Sequence, residues 1–479
     1  MKSLISKITL VLITAIFTLF FSCKKESSDI ALNTNTASSG SLIYSSVGGT
    51  VLDQSGDPIA NAVVSINNKT VETNELGIFL FENIRMDSKR TYIKVNKTGY
   101  FLGSRNFIPV KNSVSFVTIK MLDNSTSSSF PSTTGGKITI DGVSLDFPTN
   151  SIKLETGGVY NGSVNVALKF IDPAGADLFE IMPGDLSAIN SQGEERFLET
   201  YGMAAIELTS PAGQKLNVAE GKTVELSIPL SGTHLSNAPS SIPLWYFDET
   251  KGMWKEEGSA SKIGNAYVGQ VSHFSFWNAD QPSDGTTING KVVCGTNPIQ
   301  NAKVIILDEQ GRRMGTTFTN NKGEYSGMIA QNRNLTIEVE EPLSGSLVHS
   351  SSIGSFTSAA NIPDLDICSS GNIYGMLKVN LNDCIGNSIK NGVLVVKAGV
   401  KSVIFFPNST GKVNAAIFVG SYSSIDITGY DLLKHRQSAE TNILVSSLMD
   451  YGNLKVCSPV DEYVFYKIDG KYYNYYKIA

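Results

Sequence analysis

Cysteine is the residue type whose number and spacing point most directly to chemistry in this sequence of 479 residues. Besides Cys23 there are four cysteines: Cys294 and Cys368 lie 74 positions apart, and Cys384 and Cys457 lie 73 apart. Of the three possible pairings, these matched spacings favour the disulfides Cys294–Cys368 and Cys384–Cys457. A metal site of four thiolates is the alternative, but such sites usually contain a Cys-x-x-Cys pair, which this sequence lacks.

The histidines offer little further chemistry. The sequence has four, His234, His273, His349 and His435, and none has the His-x-x-Glu spacing of a zinc peptidase. The sequence also contains no phosphate-binding loop, pair of catalytic carboxylates or catalytic triad that we can recognise. We therefore expect a protein that is not an enzyme and that needs neither a cofactor nor a metal.

The composition indicates the fold class and narrows the partners. The formal net charge is −5 and charged residues make up 17% of the chain, without a long basic run, so nucleic acid is not an expected partner. The length exceeds one ordinary core, and short apolar stretches alternate with polar residues throughout. The sequence therefore predicts an all-β protein of several domains.

The N-terminal segment predicts export and a lipid anchor. Lys2 and Lys7 precede an uncharged run over 8–21, which has the length of a signal-peptide core and is short for a membrane span. The run ends in Phe-Phe-Ser-Cys, which resembles the lipobox of bacterial lipoproteins. That resemblance implies a signal peptide over 1–22 and acylation of Cys23. An ordinary signal peptide with a chance cysteine is the alternative.

The residues after Cys23 predict the location. Lys24-Lys25-Glu26 resembles the short charged tag of Bacteroidetes lipoproteins that reach the cell surface. Residues 23–43 are rich in Ser, Thr and Asn and poor in large apolar groups, so we expect a flexible tether. Together these features predict a protein held in the outer membrane by its lipid and exposed at the cell surface.

One short motif occurs three times. It reads QSGDPIANA over 54–62, CGTNPIQNA over 294–302 and CIGNSIKNG over 384–392. Each copy is followed by an Asn-x-x-Gly signal whose glycine, Gly77, Gly323 or Gly411, is expected to adopt the left-handed conformation of a tight hairpin. The first copy has Gln54 in place of cysteine and no cysteine near its end at Leu122. Both cysteines are therefore absent together, as expected of a pair.

These repeats carry a family resemblance. The first copy, with Gly-Asp-Pro-Ile-x-Asn-Ala, then Thr73-Asn74-x-x-Gly77-x-Phe79 and Val95-x-Lys97-x-Gly99-Tyr100, resembles the carboxypeptidase regulatory-like domain. That resemblance implies transthyretin-like or Ig-like β-sandwiches without catalytic function, over 44–122, 287–368 and, more divergent, 372–457.

A larger β domain is predicted over 135–280. The segments 123–134 and 281–285 are interpreted as linkers, and alternating strands are expected near 164–170 and 224–230, with an aromatic hairpin over 244–258. The start, from Gly135 to Ile152, resembles ZU5-type domains. The stretch from Trp245 to Asn278 resembles the central region of cartilage intermediate layer proteins. Both resemblances imply an extracellular module without catalytic function.

The ZU5 resemblance makes one tripeptide a candidate site of self-cleavage. His273-Phe274-Ser275 matches the cleavage motif of self-processing ZU5-type domains. By that analogy Ser275 would attack the carbonyl of Phe274 and His273 would accept the hydroxyl proton. The alternative is a final strand in which His273 forms a hydrogen bond and the aromatic residues close the core.

Two further features suggest binding. Trp245 and Trp254 are candidates for stacking on sugar rings, although tryptophan on strands more often packs inside a core. Residues 458–479 form a tyrosine-rich hairpin signal around Asp-Gly that docks on the preceding sandwich, begins a further domain or offers a binding face. The predicted function is adhesion, scaffolding or ligand capture by lipid-anchored β-sandwiches, with polysaccharide or extracellular proteins as partners; glycan capture and self-cleavage are alternatives.

Overall fold

Of the residues that the structure describes, 58% lie in strands and 2% in helices, so the all-β prediction is confirmed. The structure, a computed structural model, describes residues 40–460 except 369–373, 419 and 421, together with the backbone of two C-terminal strands. The predicted signal peptide, Cys23 and most of the tether lie outside the described residues. No helix in the described part is long and apolar enough to cross a membrane.

The first repeat copy, repeat A, is a sandwich of a three-stranded and a four-stranded sheet. Its strands are Leu42–Asp53, Val63–Ile66, Lys69–Glu72, Ile78–Asp87, Thr91–Asn96, Gly103–Phe107 and Val114–Met121. The first strand lies between the fourth, antiparallel to it, and the last, parallel to it. Alternating apolar residues from both sheets, such as Val64, Ile93 and Ile119, fill the space between them.

The other two copies have the same topology. Repeat B has the strands Gly285–Cys294, Asn297–Pro298, Lys303–Leu307, Arg313–Phe318, Glu324–Ala330, Leu335–Glu340, Leu347–Gly354, Ala360–Asn361 and Leu365–Asp366. Repeat C has Tyr374–Asn382, Gly392–Ala398, Lys401–Phe405, Lys412–Phe418, Ser424–Asp431, Arg436–Gln437, Thr441–Leu444, Leu448–Lys455 and Ser458–Pro459. In repeat B the strand Leu365–Asp366 runs parallel to the first strand, and in repeat C the strand Leu448–Lys455 does the same.

The repeated Asn-x-x-Gly signal forms the same turn in each copy. The side-chain oxygens of Asn74, Asn320 and Asn408 each accept two backbone N–H bonds from the turn that follows. The glycines have φ of 68°, 75° and 77°, so the left-handed prediction is confirmed. A Cβ atom on Gly323 would lie 2.6 Å from the carbonyl oxygen of Val292, so this turn also needs the space that glycine leaves.

The central domain is a sheet of thirteen strands. They are Ser128–Pro131, Gly136–Ile140, Val143–Phe147, Ile152–Leu154, Ser163–Ile171, Ser187–Ile189, Glu195–Thr209, Lys215–Val218, Val224–Pro229, Ser241–Asp248, Met253–Ile263, Ala266–Val271 and Phe276–Ser283. Two short helices, Leu178–Ile181 and Gly232–Leu235, lie between strands. The predicted aromatic hairpin is confirmed, because Trp245 pairs with Glu256 and Phe247 with Trp254.

Both predicted linkers are wrong. Within 123–134, the strand Ser128–Pro131 pairs with Ser163–Ile171, because Phe130 is buried and stacks on Phe147 at 4.3 Å between ring centroids. Within 281–285, the strand Phe276–Ser283 continues its pairing with Glu195–Thr209, and repeat B begins at Gly285. The central domain therefore passes into repeat B without a flexible segment.

The repeats pack against one another and against the central domain. Phe406 of repeat C packs on Phe116 of repeat A at 5.4 Å, and a Cβ atom on Gly48 would lie 2.2 Å from the Phe406 ring. One apolar cluster also runs from the central domain into repeat B. In the described residues the tandem sandwiches therefore pack against one another, since apolar side chains at the module ends gain burial by this contact.

The predicted C-terminal hairpin is confirmed in its backbone. Glu462–Ile468 pairs antiparallel with Lys471–Lys477. Its tyrosine side chains lie outside the described residues, so its binding face stays a prediction.

Candidate functional site: the module junctions

The His273-Phe274-Ser275 motif lies where the chain enters the last central strand. The Ser275 hydroxyl donates to the carbonyl of Phe276 at 3.1 Å, and His273 Nε2 lies 3.4 Å from Glu257 Oε2. The His273 ring also packs on Tyr246, with 4.6 Å between centroids. The fold therefore directs the predicted base to Glu257 and aromatic rings and directs the predicted nucleophile to a backbone carbonyl. Self-cleavage stays a prediction that this arrangement does not favour.

Trp245 and Trp254 cannot stack on a sugar. Both side chains are fully buried. The Trp245 indole donates to the carbonyl of Asp280 at 3.0 Å and the Trp254 indole to that of Asp185 at 2.9 Å. The sugar-stacking prediction for these residues is wrong, because the hairpin that carries them lies inside the sheet and each N–H is satisfied there.

The cysteines meet where the first and last strands of a copy end. Cys294 and Cys368 form the predicted disulfide, with Cα atoms 4.9 Å apart. Cys384 and Cys457 are free thiols in the structure, so the second predicted bond is absent. The thiols are neighbours, and hydrogen bonding with Cys384 raises the pKa of Cys457. Arg436 lies beside both cysteines, because it donates to the carbonyl of Cys457 at 2.6 Å and lies 3.9 Å from Sγ of Cys384.

Arg105 joins three modules. It lies on a strand of repeat A and is 8% exposed. Its guanidinium donates to the carbonyl of Phe179 in the central domain and, at 2.9 Å, to that of Thr316 in repeat B. Burial lowers the pKa of Arg105, while Asp185 and Glu180 act in the opposite direction. A buried cation with partners on two other modules fixes their relative positions.

A network of charges joins the central domain to repeat B. Glu199 contacts both Arg312 and Arg333, and the same two arginines contact Asp308, which is fully buried. Burial acts to lower the pKa of Arg312, but Glu199 and Asp308 raise it above its ordinary value. Charges that are this well paired resist separation because removal of one partner leaves a buried charge.

Lysines complete the connection between modules. Lys303 of repeat B lies 2.8 Å from Glu180, and Lys120 of repeat A lies 2.6 Å from Asp177. Both acidic residues lie at the helix Leu178–Ile181 of the central domain. The helix therefore provides one anionic face that is shared by two repeats.

A crevice of about 420 Å³ opens between the three repeats. Its walls combine the apolar side chains of Ile78, Phe318 and Ile404 with charged groups. The charged residues lining it are Lys303, Glu340, Glu341 and Lys397. A mixed apolar and charged crevice formed by three modules exists only while the modules keep this arrangement. It is the candidate ligand site.

Sequence reasoning missed the groups that position this site. Arg105 is a single charged residue within a strand, and nothing in its neighbours indicates a carbonyl partner about 210 positions away at Thr316. Asp308 carried a weak signal, because Asp-x-x-Gly-Arg predicts a turn. Among the described residues there is no group of three or more His, Cys, Asp or Glu side chains that could hold a metal ion.

Part of the chain is similar to cartilage intermediate layer proteins, as the sequence predicts. It is 31% identical over 118 residues to cartilage intermediate layer protein 1 of Sus scrofa, covering 24% of this chain and 19% of that protein. It is 28% identical over 123 residues to cartilage intermediate layer protein 2 of Homo sapiens, covering 26% and 10% respectively. The chain thus spans between a tenth and a fifth of the length of these relatives. No family model matches.

The chain is also similar to parts of two solved structures. The Bacillus anthracis TIE protein covers 87% of this chain and 50% of its own, at 9% identity and a TM-score of 0.17. The shaft pilin SpaA from Lactobacillus rhamnosus GG covers 36% of this chain and 97% of its own, at 8% identity and a TM-score of 0.19. Likeness at this level carries no information on function.

Proposed function

We propose that this chain is a lipid-anchored protein of the cell surface, without catalytic activity, whose packed modules hold a ligand-binding crevice in a fixed arrangement. The observation that carries the proposal is the buried bridge from Arg105 to Phe179 and Thr316. This bridge holds three modules in one arrangement, and a crevice lined by several modules keeps its shape only in such an arrangement.

The anchor and the compartment rest on other observations. The signal-like run over 8–21 and the lipobox-like segment ending in Cys23 support export and acylation. The Cys294–Cys368 disulfide supports an oxidising compartment. Two or more acyl chains on Cys23 would hold the protein firmly in a membrane.

The crevice favours a protein segment or a polysaccharide with charged groups as ligand. Lysine and glutamate side chains line the crevice together with Phe318 and Ile404. Such a surface pairs with charges of both signs and buries a small apolar group.

Anchoring is tested in the native host by fractionation and by protease treatment of intact cells. The wild-type chain is expected in the membrane fraction and sensitive to external protease, and Cys23→Ala is expected in the soluble fraction. A wild-type chain that is soluble, or protected from protease in intact cells, contradicts the surface assignment.

Binding is tested with the chain from residue 24, without its lipid, on immobilised polysaccharides and extracellular-matrix proteins. A ligand found this way is expected to lose at least tenfold in affinity on Lys397→Glu, because the change reverses a charge in the crevice. The matched control is Lys401→Glu, an exposed position on the neighbouring strand outside the crevice. Equal losses in both variants would place the ligand elsewhere.

A further inference from the structure

A hydroxyl, a carboxamide and a carboxyl group lie together inside the central domain. Thr200 lies on Glu195–Thr209, directly opposite Asp280 on Phe276–Ser283, and Asn278 shares the face of Asp280 because it is two residues away. Thr200 is 6% exposed, and Asn278 and Asp280 are fully buried. The Thr200 hydroxyl donates to Asn278 Oδ1 at 2.9 Å, and the Asn278 amide donates to Asp280 Oδ2.

The strand pairing is irregular at this point. The register between the two strands shifts between Thr200 and Met203, opposite Asn278 and Asp280. Bulges of this kind redirect side chains and often occur beside reactive groups. The shift brings Thr200 and Asn278 into contact although they are not cross-strand partners.

Asp280 is held in an unusual state for a carboxyl group. Burial raises its pKa well above the ordinary range, while the neighbouring Thr200 hydroxyl, Tyr201 N–H and Asn278 amide act in the opposite direction. Its Oδ1 has no hydrogen bond of good geometry in the described part of the chain. The side chain therefore favours the neutral acid, with one oxygen at the Asn278 amide and the other available as an acceptor.

We propose that Thr200 and Asn278 join in an ester cross-link, with Asp280 as the group that transfers the proton. Thr200 Oγ1 forms a bond to Cγ of Asn278, and the bond from that carbon to Nδ2 breaks. Asp280 accepts the hydroxyl proton on one oxygen and gives its own proton from the other to the departing nitrogen. The products are one ester and one molecule of ammonia, and Asp280 ends as the neutral acid with which it began.

The surroundings favour this step. Three groups held in contact react as an intramolecular set and avoid the entropy loss of bringing reactants together. Ammonia leaves into solution, and burial keeps water from the ester that remains. The Trp245 indole, bound to the carbonyl of Asp280, fixes the strand that carries the acid and the amide.

The cross-link would act where the central domain passes into repeat B. The strand Phe276–Ser283 is followed directly by the first strand of repeat B, at Gly285. A covalent bond to Glu195–Thr209 would prevent this strand from separating from its sheet. The inference is independent of the ligand in the crevice and goes beyond the proposed function.

Intact mass of the chain from residue 24, measured after reduction and denaturation, tests the proposal. The expected mass is lower than that of the sequence by one ammonia, and a protease digest is expected to contain one branched peptide that joins residues 200 and 278. A mass equal to that of the sequence would overturn the proposal, and the wild-type chain alone decides this.

Variants distinguish the cross-link from other losses of ammonia. Thr200→Ser keeps the hydroxyl and is expected to keep the mass loss, whereas Thr200→Val and Asp280→Asn are expected to abolish it. Asn-Gly pairs at 161–162, 289–290 and 391–392 can also lose ammonia by forming a succinimide. A loss that maps to those pairs, or that persists in Thr200→Val, would equally overturn the proposal.

Discussion

Repeats A, B and C have the same strand topology and differ in the contact that joins the end of the first strand to the end of the last. In repeat B the disulfide Cys294–Cys368 joins the end of the first strand to the end of the last. In repeat A the same place has a hydrogen bond of 2.9 Å from Gln54 to Asp123. In repeat C two free thiols lie there. The sandwich therefore forms without a covalent bond at this place. The disulfide of repeat B joins two strand ends that the shared topology already brings close together.

The copies also differ in their neighbours. Repeat A, without a cysteine pair, contributes Arg105 and Lys120 to contacts with the central domain. Repeat C contributes Phe406, which packs on repeat A. Repeat B also forms ion pairs with the central domain, through Lys303, Arg312 and Arg333. Repeat B thus has junction contacts and a covalent bond, whereas repeat A has junction contacts alone.

Loss of the disulfide has the largest expected effect. Cys294→Ala opens a loop of 74 residues and is expected to reduce the free energy of unfolding of repeat B by roughly 4 kcal/mol, on the chain-entropy account. Denaturant unfolding followed by hydrogen exchange in repeat B measures it. Cys384→Ser is the control and is expected to change stability little, since its thiol forms no disulfide. Equal losses in the two variants would remove the contrast between the copies.

Removal of the Arg105 side chain is expected to cause the second-largest loss of stability. Arg105→Ala leaves the carbonyls of Phe179 and Thr316 without their donor, and we expect a loss of about 2 kcal/mol together with faster proteolysis at the junction. Arg85→Ala, at an exposed position of the same repeat, is the control. An equally small change in both variants would mean that Arg105 does not hold the modules.

The repeated turn offers a finer comparison. Gly323→Ala places a Cβ atom 2.6 Å from a carbonyl oxygen in a left-handed turn and is expected to destabilise repeat B by about 2 kcal/mol. Gly311→Ala, also left-handed but with no atom within 4 Å, measures the conformational part alone. Thermal unfolding of the two variants should show the larger loss for Gly323→Ala; the reverse order would contradict the contact.

The stabilisation of repeat A by Asp123 is expected to depend on pH. Burial acts to raise the pKa of Asp123, but Lys169 and Ser125 lower it to about 2. Because this pKa is below that of the unfolded chain, near 3.9, the stabilisation is complete above that value and is lost as the pH falls through about 2. Nuclear magnetic resonance titration of Asp123 measures it, and an ordinary carboxyl titration near 4 would contradict the contact with Lys169.

The smallest effect is expected for Gln54→Ala. Its bond to Asp123 is exposed, so its removal should reduce stability by about 0.5 kcal/mol or less. Chemical denaturation of the wild type and variant in parallel measures the difference. A loss as large as that for Cys294→Ala would show that the hydrogen bond is equivalent to the disulfide.

Local patterns predicted much of this molecule, and contacts between modules explain the rest. The Asn-x-x-Gly turns, the strands near 164–170 and 224–230, the aromatic hairpin and the Cys294–Cys368 pair follow from short signals that act within one module. The linker prediction for 123–134 was wrong because this polar run contains one phenylalanine, Phe130, which packs on the distant Phe147. Arg105 and the Thr200 cluster depend on partners far away in sequence, which no local pattern indicates.

Small-angle X-ray scattering of the chain from residue 24, without its lipid, tests most directly the claim that the modules form one fixed arrangement. The structure predicts one maximum in the pair-distance distribution and, for residues 40–460, a profile that agrees with the packed modules. Several maxima, or a profile that requires modules moving independently, would contradict the claim and with it the crevice between the repeats.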